Sequence, residues 1–148
     1  MKTHPYLRAY MAGVVVPNVA LLVAITALFV TRLIYRFSIP VERVIVFPMA
    51  LAPNLFGLWN ILYVWFRPRR HLPIGLHGAL LPFLVVPLAL TIATSLGFLA
   101  VTARGLVWFQ AMTMHYPFVA TWFLGALIVY YLVWKYLVGF FNELLGIA

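Results

Sequence analysis

Four long apolar segments constrain this chain more than any other feature of its sequence. A helix needs about 20 apolar residues to cross the ~30 Å hydrocarbon layer of a bilayer. Between charged and turn-forming residues we place such segments at about 10–30, 41–66, 75–101 and 117–140. The sequence therefore predicts an all-α integral membrane protein: one antiparallel bundle of four transmembrane helices, several kinked by proline, with no soluble domain.

The composition supports the same class of protein. Of the 148 residues, 66% are hydrophobic and 8% are charged, too few polar groups to cover a water-soluble globule. The first segment is longer than the apolar core of a signal peptide, so we expect it to be retained. Cysteine is absent, which excludes disulfides, thiolate metal sites and cysteine nucleophiles.

The charge is strongly positive. Ten lysines and arginines face two acids, Glu42 and Glu143, for a formal net charge of +8. Because the basic residues flank the apolar segments, we expect anionic lipid headgroups as partners and no nucleic acid. The polybasic turn of Arg67, Arg69 and Arg70 is the predicted headgroup contact.

The distribution of the basic residues predicts an orientation in the membrane. Cytoplasmic loops tend to carry more lysine and arginine than loops on the opposite side. Both termini are accordingly predicted in the cytoplasm, with the chain in a plasma membrane or a bacterial inner membrane. The predicted cytoplasmic residues are Lys2, Arg8, Arg67, Arg69, Arg70 and Lys135, and those opposite are Arg32, Arg36, Arg43 and Arg104.

A proline–asparagine pair occurs near the middle of each of the first two segments. These pairs are Pro17–Asn18 and Pro53–Asn54. Each proline frees a helix carbonyl, and both amides are predicted close to the bilayer centre. Two interpretations follow: the amides bond to the neighbouring helix and hold the bundle together, or they line a midplane site for an ion or small polar solute.

A second polar layer is predicted nearer the cytoplasmic face. It contains Asn60, His77 and Lys135. Because a lysine within a membrane span is costly, this layer is a candidate site for an anion or lipid headgroup. The alternative is that Lys135 extends its side chain to the membrane surface without a specific ligand. With Asn18 and Asn54, these are the predicted binding residues.

The sequence predicts no catalytic residues, no metal site and no cofactor. A membrane haem would need two histidines facing each other, whereas His77 and His115 are predicted on opposite sides. The two acids are also predicted at opposite faces, which argues against a metal site.

The third loop, ARGLVWFQAMTMHYP, is rich in aromatic residues and methionine. Such a composition is typical of a segment in the membrane interface. We predict a short amphipathic helix there.

These observations favour a non-enzymatic structural or interaction role, in which the chain forms a homo-oligomer or an accessory subunit of a larger membrane complex. An alternative is an oligomeric channel or carrier for a small polar or anionic species, with the asparagines and Lys135 along its path. A lipid-modifying membrane enzyme with His77 or Lys135 as base is a third, less favoured interpretation.

Overall fold

The computed structural model describes residues 4–36, 41–68, 71–108 and 112–147. Most of the chain is helical. The elements in order are α1 (Pro5–Tyr35), α2 (Val41–Phe66), α3 (Ile74–Leu80), α4 (Pro82–Ser95), β1 (Leu99–Thr102), β2 (Gly105–Trp108), β3 (Met112–His115), α5 (Tyr116–Leu132), a π-helical segment (Val133–Val138) and α6 (Gly139–Leu144).

Three stretches of helix are long and apolar enough to cross a membrane. Among the described residues they are Pro5–Ile34, Ile74–Ser95 and Tyr116–Leu144. Helix α2 has 26 residues, but its described apolar part, Leu51–Phe66, is shorter. The predominantly helical fold is confirmed, and these helices fit a membrane protein.

The prediction of an all-α fold is wrong between the last two predicted spans. A three-stranded antiparallel sheet in the order β1-β2-β3 lies there, with Thr102 opposite Gly105 and Gly105 opposite His115. The predicted interfacial helix is therefore not formed. Its β-branched and aromatic residues suit strands as well as a membrane surface, so composition alone did not distinguish the two.

Helix α4 ends at Ser95, although the third predicted span continued to residue 101. The amide of Gly97 donates to the carbonyl of Thr94 at 3.0 Å, and that of Phe98 donates to Ala93 at 2.9 Å. Gly97 has a φ of 74°, which closes this helix-terminating motif at little steric cost. Backbone geometry stops the helix while the sequence is still apolar.

The turn between β1 and β2 is tightly built. Gly105 has a φ of 154°, and a Cβ there would lie 2.2 Å from the carbonyl oxygen of Met114. The hydroxyl of Tyr116, the first residue of α5, donates to the carbonyl of Thr102 at 2.7 Å. The turn therefore packs closely against β3 and is hydrogen-bonded to the first residue of α5.

The chain divides into two compact units. One contains Met1–Leu72 and Tyr136–Ala148, and the other contains Pro73–Lys135. One boundary falls between Leu72 and Pro73, and the other falls within the π-helical segment.

Helices α1 and α2 of the first unit pack through small residues. A Cβ on Gly13 would lie 2.6 Å from the carbonyl oxygen of Phe56, and one on Gly57 would lie 2.5 Å from the ring of Tyr10. Such close approach is the usual way that membrane helices gain packing energy. The buried residues of this contact are Ala9, Ala12, Gly13 and Pro17 on α1 and Pro53, Phe56, Gly57 and Asn60 on α2.

In the second unit, aromatic rings of α5 and of the π-helical segment pack against glycines of α3. A Cβ on Gly75 would lie 2.7 Å from the ring of Tyr131, and one on Gly78 would lie 2.0 Å from Trp134. Trp134 is fully buried, whereas α5 itself has no buried residue.

Candidate functional site

Two buried asparagines of the first unit bond to each other. Asn60 donates to the side-chain oxygen of Asn142 at 2.7 Å, and Asn142 donates back to Asn60 at 3.1 Å. The second amide hydrogen of Asn60 reaches the carbonyl of Ala9 at 2.8 Å. The three residues belong to α2, α6 and α1, so this network connects three helices.

The geometry of this network favours cohesion over ligand binding. Asn60 is completely buried, and Asn142 is 2% exposed. A side-chain amide has two donor hydrogens, and both of those on Asn60 are used. Asn142 is not among the binding residues predicted from sequence; its one signal there is an isolated amide in the apolar stretch GFFNELLG.

The end of α6 is held by backbone and side-chain bonds. The amide of Gly146 donates to Glu143, and that of Ile147 donates to Asn142. The guanidinium of Arg67 donates to the carbonyl of Ile147 at 2.9 Å. Of the three arginines predicted to contact headgroups, Arg67 therefore has a bond inside its own unit; Arg69 and Arg70 lie outside the described residues.

The two Pro-Asn pairs have different surroundings. Asn54 accepts a hydrogen bond from the hydroxyl of Tyr10 across the α1–α2 contact. Asn18 is exposed. At 100° per residue it lies on the face of α1 opposite the buried small residues, so the two amides do not bond to each other.

His77, on α3, packs against the π-helical segment at Trp134. It is 6% exposed, and its ring meets the indole of Trp134 edge-on, with a centroid distance of 5.6 Å. Because it packs against a fully buried tryptophan, His77 contributes to the packing of the second unit.

Lys135 occupies the middle of the π-helical segment. Its side chain is exposed, and its ammonium nitrogen lies 5.8 Å from the ring centroid of Tyr131. That distance permits a cation–π contact. Segments of π-helix are rare and are frequent at functional sites, which keeps Lys135 a candidate binding residue.

The structure offers little for metal chemistry in its described part. Over residues 4–36, 41–68, 71–108 and 112–147, no group of three or more histidine, acidic or cysteine side chains could hold a metal ion.

A groove follows one face of α5. A Cβ on Gly125, near its middle, would meet no atom within 4 Å. The groove is almost wholly apolar, as expected for a surface facing lipid or another helix. Its lining residues are Phe118, Thr121, Trp122, Gly125, Ala126, Val129 and Tyr130.

Comparisons with protein-family models, curated proteins and solved structures give no match.

Proposed function

We propose that this chain is an integral membrane protein with a structural or interaction role, acting as a homo-oligomer or as a subunit of a larger membrane complex. The observation that carries the proposal is the network of Asn60, Asn142 and Ala9. Buried polar side chains that would mark a binding site or path are used here to join helices.

The hydroxyl groups of the helices support the same proposal. Each serine or threonine hydroxyl in the described helices donates to a carbonyl four residues earlier in its own helix, so its proton is already used and it is poorly suited to line an open path. The residues concerned are Thr26, Thr31, Thr91, Thr94, Ser95 and Thr121.

The membrane context belongs to the proposal too. We place both termini in the cytoplasm, with the chain in a plasma membrane or a bacterial inner membrane and its polybasic turn at anionic headgroups. Of this turn, Arg67 also donates to the carbonyl of Ile147.

A channel or carrier is the second candidate, and the π-helical segment with Lys135 is the observation that favours it. A cation exposed on an apolar helix could attract an anion. The two candidates differ in a measurable property, since a structural protein should not move ions.

The test is an anion-flux assay with the purified protein in liposomes, alongside Lys135→Leu. The structural role predicts that the wild type gives no flux above empty liposomes and that both proteins reconstitute equally well. Flux by the wild type that is lost in Lys135→Leu would overturn the proposal in favour of the channel.

A further inference from the structure

The face of α1 that points away from α2 carries a polar group at half the height of the helix. Asn18 lies within about 3 Å of the midpoint of Pro5–Ile34, at 1.5 Å per residue. Its side chain is exposed and makes no hydrogen bond to any other described residue. In hydrocarbon such an amide needs a partner, because an unsatisfied polar group there costs several kcal/mol.

Apolar residues extend this face above and below Asn18. The spacing along the face alternates between four and three residues, which is the 3.5-residue period of two helices that wind around each other. The seam is about 27 Å long at 1.5 Å per residue, close to the thickness of the hydrocarbon layer. Its members are Met11, Val15, Asn18, Leu22, Ile25 and Phe29.

The seam is largely open in the protein: Val15 and Ile25 are half-buried, and its other members are exposed. Met11 is 50% exposed, Leu22 is 66% exposed and Phe29 is 48% exposed. The small residues that contact α2 lie on the opposite side of α1, and Val14, which meets Gly57, borders the seam without belonging to it. An added helix could therefore occupy the seam and leave the small-residue contact in place.

A second copy of this chain meets the requirements of Asn18 directly. The amide has a partly negative oxygen and a partly positive NH₂ group, so two asparagines are electrostatically complementary. A two-fold axis along the membrane normal brings the same residue of both copies to one depth. An unrelated helix would need its own polar group at that height. One polar residue in an apolar seam also fixes the register of two helices.

We propose that α1 pairs in parallel with α1 of a second copy through this seam, with reciprocal hydrogen bonds between the two Asn18 side chains. The inference rests on the proposed function and deepens it by naming a partner and a contact.

Cysteine cross-linking tests the contact, because the wild-type chain contains no cysteine. Leu22→Cys places a thiol in the seam, and Val19→Cys places one outside it at nearly the same height. The two native side chains are comparably exposed, at 66% and 58%, so access to the oxidant is matched. In bilayers treated with copper phenanthroline, Leu22→Cys should give a disulfide-linked dimer in clear excess over Val19→Cys.

Replacement of Asn18 tests the polar contact separately. Asn18→Leu should weaken self-association roughly 3- to 30-fold, the range for an interhelical hydrogen bond in a membrane. Asn18→Gln, which keeps a donor and an acceptor, should weaken it less. Unchanged self-association in Asn18→Leu would overturn the role of the amide.

The outcomes separate this inference from the proposed function. If the wild type associates with itself or another polypeptide but Leu22→Cys cross-links no more than Val19→Cys, the α1 pairing is wrong and the proposed function stands. If the wild type is a monomer without any partner, both are wrong.

Discussion

Asn60 and Asn142 hydrogen-bond to each other in both directions although 82 positions separate them in sequence. This contact holds α6 against α2, and the bond from Asn60 to Ala9 extends it to α1. The polar groups are buried and mutually satisfied, an arrangement that contributes specificity to helix packing.

Removal of one amide should destabilise the first unit. Asn142→Leu leaves the side chain of Asn60 buried with an unmet bond, which costs about 1–3 kcal/mol in the free energy of unfolding. Denaturant unfolding in detergent measures the loss. Glu143→Gln, at the adjacent exposed position, is the control and should change stability by less than about 0.5 kcal/mol.

The double variant Asn60→Leu, Asn142→Leu tests the coupling. Because the two side chains depend on each other, its loss should be smaller than the sum of the two single losses. Strictly additive losses would show that the amides act independently and would contradict the network.

Alanine substitutions at Gly78 and Gly125 compare a closely packed glycine of the second unit with an open one. Gly78→Ala places a methyl group 2.0 Å from Trp134, so we expect a loss of about 1–3 kcal/mol from overpacking. Gly125→Ala meets no atom within 4 Å and should be neutral or stabilise the helix by up to about 1 kcal/mol. Thermal unfolding of both variants distinguishes them; equal stability would contradict the α3–Trp134 contact.

Substitution of Gly105 in the β1–β2 turn should destabilise the sheet. Gly105→Ala combines a left-handed φ with a Cβ that lies 2.2 Å from the carbonyl oxygen of Met114. We expect faster amide hydrogen exchange in β2 and β3, by at least about tenfold, corresponding to ~1.4 kcal/mol of lost local stability. Ala103→Gly, in the same turn, should alter exchange much less. Protection that survives Gly105→Ala would argue against this sheet.

Substitution of Arg67 tests whether its hydrogen bond to Ile147 stabilises the residues after α6. Arg67→Gln removes the charged bond to the carbonyl of Ile147, an exposed contact worth about 1 kcal/mol or less. Amide exchange near Ile147 should rise up to about fivefold, while global unfolding changes little. Arg104→Gln, in the turn of the sheet, is the control and should leave that exchange unchanged.

The sequence predicts helices well where apolar length determines them. The third predicted span continues past Ser95 because hydropathy carries no information about the helix-ending hydrogen bonds around Gly97. It also missed the sheet, since strands of four residues are too short for a clear alternation of polar and apolar residues.

Asn54 and Asn60 are predicted from sequence as polar candidates, but Asn142 and the bonding partners are not. Asn60 stands out in an apolar helix, whereas its bond to Asn142 depends on how α6 folds back onto α1 and α2. Asn54 is predicted to bond to the neighbouring helix or to line a midplane site, and its partner on α1 is the phenol of Tyr10. Depth along a helix follows from residue number; the face that contacts a neighbour depends on tertiary packing.

The mass of the wild-type protein, released from its own membrane with surrounding lipid, shows whether the chain assembles with itself or with another polypeptide. A structural or interaction role predicts that, after subtraction of lipid, the particle contains two or more 16.8 kDa chains or a second polypeptide in fixed ratio. A single 16.8 kDa chain with no partner at membrane concentrations would contradict the account.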